Sequence, residues 1–205
     1  MNKQKRARQI LLYALYITSA CCLQVTFPGF FSLFGRTADL MLVFVVLAGY
    51  LFGPVDGVVV GIIVGMFRDY FSGPVVMGLN REPVALLGVG SLTFMYIGLL
   101  SSLVFRRRFR RKLFLGILQV ELMTLAYYIG GHIVTYVYLN VSGNLTSYHS
   151  LKYIVVSCVL PQLLVNALAS LPVLLILRFI GPYSKGVRSR LVDGYSMEDK
   201  QWQSV

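Results

Sequence analysis

Four polar side chains interrupt the long apolar segments of this sequence, and their types could do chemistry there: Glu121, His132, Gln162 and Asn166. A carboxylate and an imidazole can form a general acid–base pair. Glu121 and His132 return to nearly the same face of a helix, but they lie about 16 Å apart along its axis, which is too far for a dyad. Gln162 and Asn166, one turn apart, are typical of hydrogen bonding between helices. A proton relay or a ligand pocket made from the four residues stays open as the alternative.

No motif of a known catalytic site accompanies these residues. The sequence contains no Walker loop, no HExxH and no nucleophile elbow, and His149 has no companion ligand. Cys21, Cys22 and Cys158 lie in apolar runs, without the spacing of a metal site or a disulfide framework. We therefore expect neither enzymatic activity nor a cofactor.

The composition indicates a protein embedded in a membrane. Of the 205 residues, 57% are hydrophobic and only 13% are charged, and the mean hydropathy is +0.71. A soluble domain is about one quarter charged. A net charge of +11 would suggest nucleic-acid binding in a soluble protein. Here the basic residues are clustered between and beyond the apolar segments, which argues against that interpretation.

The apolar segments predict an all-α integral membrane protein with six transmembrane helices in one domain, residues 1–205. A spanning helix needs about 20 mostly apolar residues. Basic clusters precede the first segment, separate the fourth from the fifth and follow the sixth, and they place both termini in the cytoplasm. Because the first two basic clusters lie on the same side, an even number of passes must separate them. Residues 38–71 meet this requirement either as two full passes or as a re-entrant hairpin, so both stay open. The predicted segments are 10–27, 38–53, 55–71, 84–105, 113–139 and 151–180.

The basic cluster between the fourth and fifth segments is the densest in the chain. Moving its six charges through lipid would cost roughly 2.5–3.5 kcal/mol each, so this loop should set the orientation. Binding to anionic lipid or to a cytoplasmic partner is a second role for the same residues. They are Arg106, Arg107, Arg108, Arg110, Arg111 and Lys112.

A glycine recurs at every fourth position from residue 49 to residue 65. Residues four apart on a helix lie nearly above one another, so these glycines form a stripe without side chains. Such a stripe lets two helices approach closely in lipid and is expected to pack helices or to receive a partner. Its members are Gly49, Gly53, Gly57, Gly61 and Gly65.

Asp69 continues the glycine register by one further turn, at the end of the third segment. One interpretation is a carboxylate at the membrane boundary that reaches water or a loop amide. The other is a fixed contact that holds the following loop, SGPVVMGLN. Arg68 points about 100° away from it around the helix, which makes the two neighbours poor partners.

The stretch 38–80, ADLMLVFVVLAGYLFGPVDGVVVGIIVGMFRDYFSGPVVMGLN, resembles the core of MreD, the rod shape-determining membrane protein of bacteria. The family usually has a proline where this chain has Ala38. The resemblance implies structural or loop contacts for Asp39, Asp69, Ser72, Gly73 and Gly78. The matching positions are Asp39, Leu40, Gly53, Gly57, Gly61, Gly65, Asp69, Ser72, Gly73, Gly78 and Leu79.

This resemblance implies a non-enzymatic scaffold of the cell-elongation complex in the bacterial cytoplasmic membrane. It would bind MreC directly and link MreB to RodA and a class B penicillin-binding protein. The MreD fold is also similar to the substrate-binding subunits of energy-coupling-factor (ECF) vitamin transporters, so a transporter subunit is the alternative. Those subunits commonly carry two alanines four apart in the first helix, where this chain has Ala14 and Thr18.

Overall fold

The computed structural model describes residues 3–26, 32–33, 35–72, 75–77, 83–85, 88–104, 113–141, 155 and 159–182. Within these ranges the chain forms six helices, and the prediction of a helical protein is confirmed. They are α1 (Lys3–Thr26), α2 (Leu40–Phe52), α3 (Pro54–Ser72), α4 (Val89–Val104), α5 (Leu113–Val141) and α6 (Leu160–Phe179).

Two short antiparallel hairpins lie between helices. The strand β1 (Ser32–Leu33) pairs with β2 (Arg36–Thr37), and Gly35 in the turn between them has a positive φ of 72°. The strand β3 (Val75–Met77) pairs with β4 (Pro83–Ala85), in register Val76 to Val84. The segment predicted to begin a helix at residue 84 therefore begins as a strand, and its helix starts at Val89.

The helix α2 is the centre of the bundle. All 13 of its residues are buried, and α1, α3, α4, α5 and α6 all contact it. A helix that is apolar on every side is stable only when neighbours cover every side, and LMLVFVVLAGYLF has no polar face. At about 1.5 Å per residue it is about 20 Å long, which is shorter than the hydrocarbon core of a bilayer.

Gly53 separates α2 from α3 and makes them two helices rather than one. Its φ of 110° lies in the region that favours glycine, and its N–H donates to the Gly49 carbonyl oxygen at 3.1 Å. Pro54 then opens α3, in the first-turn position where a missing N–H is tolerated. Pro161 likewise lies in the first turn of α6, which begins at Leu160.

The outer faces of the helices are apolar and exposed. On α6 this face carries Leu160, Leu164, Leu168, Leu171 and Leu175. Among the described residues, three helical stretches are both long and apolar enough to cross a bilayer, namely 7–26, 114–131 and 160–179. Soluble monomers rarely expose apolar surface on this scale, so the prediction of a membrane protein is confirmed.

Candidate functional site

An ion pair between Asp39 and Arg68 lies at the end of the bundle where α2 begins. Asp39 is the N-cap of α2, and its Oδ1 accepts a hydrogen bond of 3.0 Å from the Leu42 N–H. Its Oδ2 accepts from Nη1 of Arg68, which reaches across from the last turns of α3, at 2.5 Å. A buried carboxylate is stable only when it is paired or hydrogen-bonded, and Asp39 is both.

Two aromatic rings pack against the Arg68 guanidinium. Its central carbon lies 5.0 Å from the ring centroids of both Phe94 in α4 and Tyr127 in α5. The two rings are nearly parallel, at 8°, with their centroids 5.9 Å apart. Aromatic faces attract cations, so α3, α4 and α5 together fix this guanidinium.

Side chains from other helices satisfy the first N–H groups of α2, which have no partner within the helix. Asn166 Oδ1 in α6 accepts from the Asp39 N–H at 2.9 Å, and Gln24 Oε1 in α1 accepts from the Leu40 N–H at 2.7 Å. Asn166 also donates through Nδ2 to Thr124 Oγ1 in α5 at 3.1 Å. With Arg68 of α3 included, five helices therefore meet through hydrogen bonds at the start of α2.

Gln162 connects this network to the first hairpin. Its Nε2 donates to the Thr37 carbonyl oxygen at 2.9 Å and to Asn166 Oδ1 at 3.1 Å. The expected hydrogen bonding of Gln162 and Asn166 between helices is thus present, together with the contact to β2. Both side chains are buried, at 4% and 0% exposure.

A cavity of about 340 Å³ borders this network. Its wall combines side chains from α1, the β1–β2 hairpin, α2, α3, α5 and α6. Small-molecule sites are concavities of roughly 300–1,000 Å³ in which a few polar groups fix orientation. The residues around it are Gln24, Gly35, Arg36, Thr37, Asp39, Met41, Arg68, Tyr128 and Gln162.

The glycine stripe lies against α4 of the same chain. A Cβ added to Gly57 would lie 2.5 Å from the Gly98 carbonyl oxygen, and one added to Gly65 would lie 2.5 Å from Ser91 Cα. Gly49 faces Gly98 and Gly61 faces Phe94 in the same way, whereas Gly53 meets no described atom within 4 Å. Four of the five glycines therefore bring backbones together, and Gly53 provides the turn.

Asp69 binds the amino terminus of α4. Its carboxylate accepts from the N–H groups of Gly88, Gly90 and Ser91 at 2.9, 2.8 and 3.1 Å. These are donors that the helix itself leaves unsatisfied. The carboxylate, which lies in the last turn of α3, thus caps α4.

Other candidates from the sequence contribute little to this site. Glu121 does not line the cavity, and its Oε1 is buried without a hydrogen bond from any described residue. His132 lies on α5, but the placement of its side chain is outside the described part, as is that of Ser72. In the described residues no three His, Cys, Asp or Glu side chains cluster as metal ligands. Gly73, Gly78, His149, Cys158 and the basic residues of 106–112 lie outside the described residues.

Sequence reasoning missed the centre of the site. It treated Arg68 only as a poor partner for Asp69 and did not connect it to Asp39, 29 residues earlier. Gln24 and Tyr128 also went unnoticed. The available signal was the coincidence of an acidic helix cap and an arginine near the ends of neighbouring apolar segments, because charges at such depths need partners.

A polar cavity at one end of a helical bundle is the kind of place in which membrane proteins bind small solutes. Residues 8–178 match the family model described as ECF transporter, substrate-specific component. The chain belongs to this family. Among curated proteins and solved structures, none matches it.

This membership overturns the assignment to MreD, and with it the role in cell shape and the partners MreC, MreB, RodA and penicillin-binding protein. The physical reason is that a glycine at every fourth position specifies close helix packing, which proteins of different function share. Here α4 occupies the stripe along Gly57, Gly61 and Gly65, so the surface proposed for MreC is already filled by the chain itself. The alternative drawn from the same resemblance, a transporter subunit, agrees with the family.

Proposed function

We propose that the chain is the substrate-binding membrane subunit of an ECF-type transporter and that it holds a small solute in the cavity at the start of α2. The observation that carries this proposal is the cavity itself, with hydrogen-bonding side chains from five helices and a hairpin around about 340 Å³. The membership in the substrate-specific component family supports it independently. The role is binding and release, without bond chemistry.

The proposed topology is one transmembrane domain over residues 1–205, with six passes and both termini in the cytoplasm. The cavity lies where α1 and α3 end and where α2 and α6 begin, near Gln24, Arg68, Asp39 and Gln162, and Tyr128 contributes to it from the middle of α5. With the basic amino terminus inside, this end of the bundle faces the exterior. The opening would then receive solute from outside the cell.

The partner on this proposal is the energising module of the transporter, with its ATPases and its membrane subunit. The exposed face of α1 that carries Ala14 and Thr18 is the proposed contact. The Thr18 hydroxyl donates to its own helix, at 2.7 Å to the Ala14 carbonyl oxygen and 3.1 Å to that of Leu15. A partner helix can therefore approach this face without leaving a buried donor unsatisfied. The basic residues of 106–112 would set the orientation at the opposite, cytoplasmic end.

The direct test is to identify what the protein retains. The protein is purified in mild detergent, incubated with a small-molecule extract of its host cells, washed and denatured, and the released compounds are identified by mass spectrometry. We expect one compound in a near one-to-one ratio with the wild-type protein, and its loss from Gln162→Leu. The variant Leu164→Ala, on the exposed face of the same helix, is the matched control and should retain it. Failure of the wild type to enrich any compound would refute the proposed function.

A further inference from the structure

The charges around the cavity are unequal. Among the described residues around it, Arg36 and Arg68 carry guanidinium groups, Asp39 carries a carboxylate, and the others are neutral. A low-dielectric site with an excess of one sign favours a ligand of the opposite sign. This excess lies within the wall and does not depend on the net charge of the chain.

Both oxygens of the Asp39 carboxylate already accept hydrogen bonds within the bundle. One oxygen of Asp39 caps α2 through Leu42, and the other accepts from Arg68. Its side chain is 9% exposed, whereas that of Arg68 is 24% exposed, so the guanidinium is the group that the ion pair presents to the cavity. A cationic solute would have to displace Arg68 from Asp39, but an anionic solute would not have to break the pair.

The geometry of Arg68 is suited to a second anion. A guanidinium has five N–H donors in a fixed plane and cannot lose its proton in a protein. Asp39 engages it through a single oxygen, because its other oxygen serves the helix cap. Phe94 and Tyr127 hold the guanidinium in place, so little ordering remains to be done when a ligand arrives.

From these contacts we propose that the transported solute is a compact, hydrophilic organic acid whose carboxylate or phosphate group binds Arg68 and Arg36. This inference rests on the proposed function. The cavity is near the lower end of the usual size range, which favours a compact molecule. The neutral hydrogen-bonding groups of Gln24, Tyr128 and Gln162 would bind the rest of it.

The experiment measures the charge of the retained compound and its dependence on each arginine. The compound released from wild-type protein is identified by accurate mass and by its retention on an anion exchanger. Sensitivity to phosphatase distinguishes a phosphate ester from a carboxylate. Its dissociation constant is then measured by calorimetry, beside that of its neutral derivative, the methyl ester or amide of a carboxylate or the dephosphorylated alcohol. We expect an acidic compound that binds at least about 10-fold more tightly than this derivative, as for other charge-assisted hydrogen bonds.

Two variants separate recognition from folding. Arg36→Gln alters a hairpin residue outside the helix core and should weaken binding about 10-fold. Arg68→Gln alone would leave Asp39 buried without its partner, so it is combined with Asp39→Asn, and the double variant should lose binding at least about 10-fold with an unchanged elution profile. Arg178→Gln, which removes the same charge at the opposite end of α6, is the control and should bind as the wild type does.

The outcomes distinguish this inference from the proposed function. A retained compound that is neutral or cationic, or one that binds Arg36→Gln and the double variant as tightly as it binds the wild type, would overturn the anionic substrate while leaving the transporter role intact. No enriched compound from the wild-type protein would overturn the transporter role, and this inference with it.

Discussion

The packing of α3 on α4 predicts that the addition of one methyl group at Gly57 destabilises the protein. A Cβ there would lie 2.5 Å from the Gly98 carbonyl oxygen and 2.8 Å from Gly49 Cα. Both are backbone atoms, so the side chain cannot move aside, and ordinary contact at about 3.4 Å requires the two helices to separate by roughly 1 Å. Overpacking of this kind costs about 1–3 kcal/mol.

The matched control is Gly130→Ala in α5, where an added Cβ meets no described atom within 4 Å. Both substitutions change the helix propensity equally, by up to about 1 kcal/mol in favour of alanine, so this contribution cancels in the comparison. The difference between the variants is then the overpacking cost alone. At about 2–4 °C per kcal/mol for a chain of this size, it corresponds to a midpoint lower by several degrees for Gly57→Ala.

The assay is thermal unfolding of the two purified variants in the same detergent, followed by size exclusion of the soluble fraction. We expect Gly57→Ala to melt below the wild type and Gly130→Ala to melt at or above it. Equal melting temperatures for the two variants would show that the backbones of α3 and α4 are not in contact at Gly57 and would refute the packing described here.

Further predictions concern the helix ends and the proposed contact face. Asp69→Ala should lower the free energy of unfolding by about 1–2 kcal/mol in denaturant titrations, because it removes the cap of α4; an unchanged midpoint would contradict this. Asn166→Leu should cost about 1–3 kcal/mol by the same measurement and also abolish solute retention, because it leaves the Asp39 N–H unsatisfied. Thr18→Leu should keep solute retention but lose co-purification with the energising module, and full assembly would exclude this face of α1. Thr37→Cys, in a background with the native cysteines replaced by serine, should react with an impermeant maleimide added outside intact cells; labelling only after lysis would reverse the proposed orientation.

Several features of the fold follow from local sequence alone. The apolar runs predict helices in a membrane, and the Gly53–Pro54 pair marks the corner at which α2 ends and α3 begins. The spacing of Gly57, Gly61 and Gly65 predicts one side of a helix that can approach another backbone. These features are readable because each depends on residues within a few turns of one another.

The function was read incorrectly from the same glycines. Their spacing reports how closely two helices pack, and it carries no information about which chain supplies the second helix or what the bundle does. The resemblance to MreD rested on this stretch of about one fifth of the chain, whereas the family match extends over residues 8–178.

Hydropathy and glycine spacing are local properties of the chain, and they established a helical membrane protein with a closely packed α3. The site is different in kind, because Asp39 and Arg68 come from different helices and Asn166 lies 127 residues beyond the N–H that it accepts from. Only the packing of the five remaining helices around α2 brings these side chains to one end of the bundle. The N–H groups at the start of that buried helix must be satisfied by its neighbours, and for this reason the polar residues, and the cavity above them, are found there.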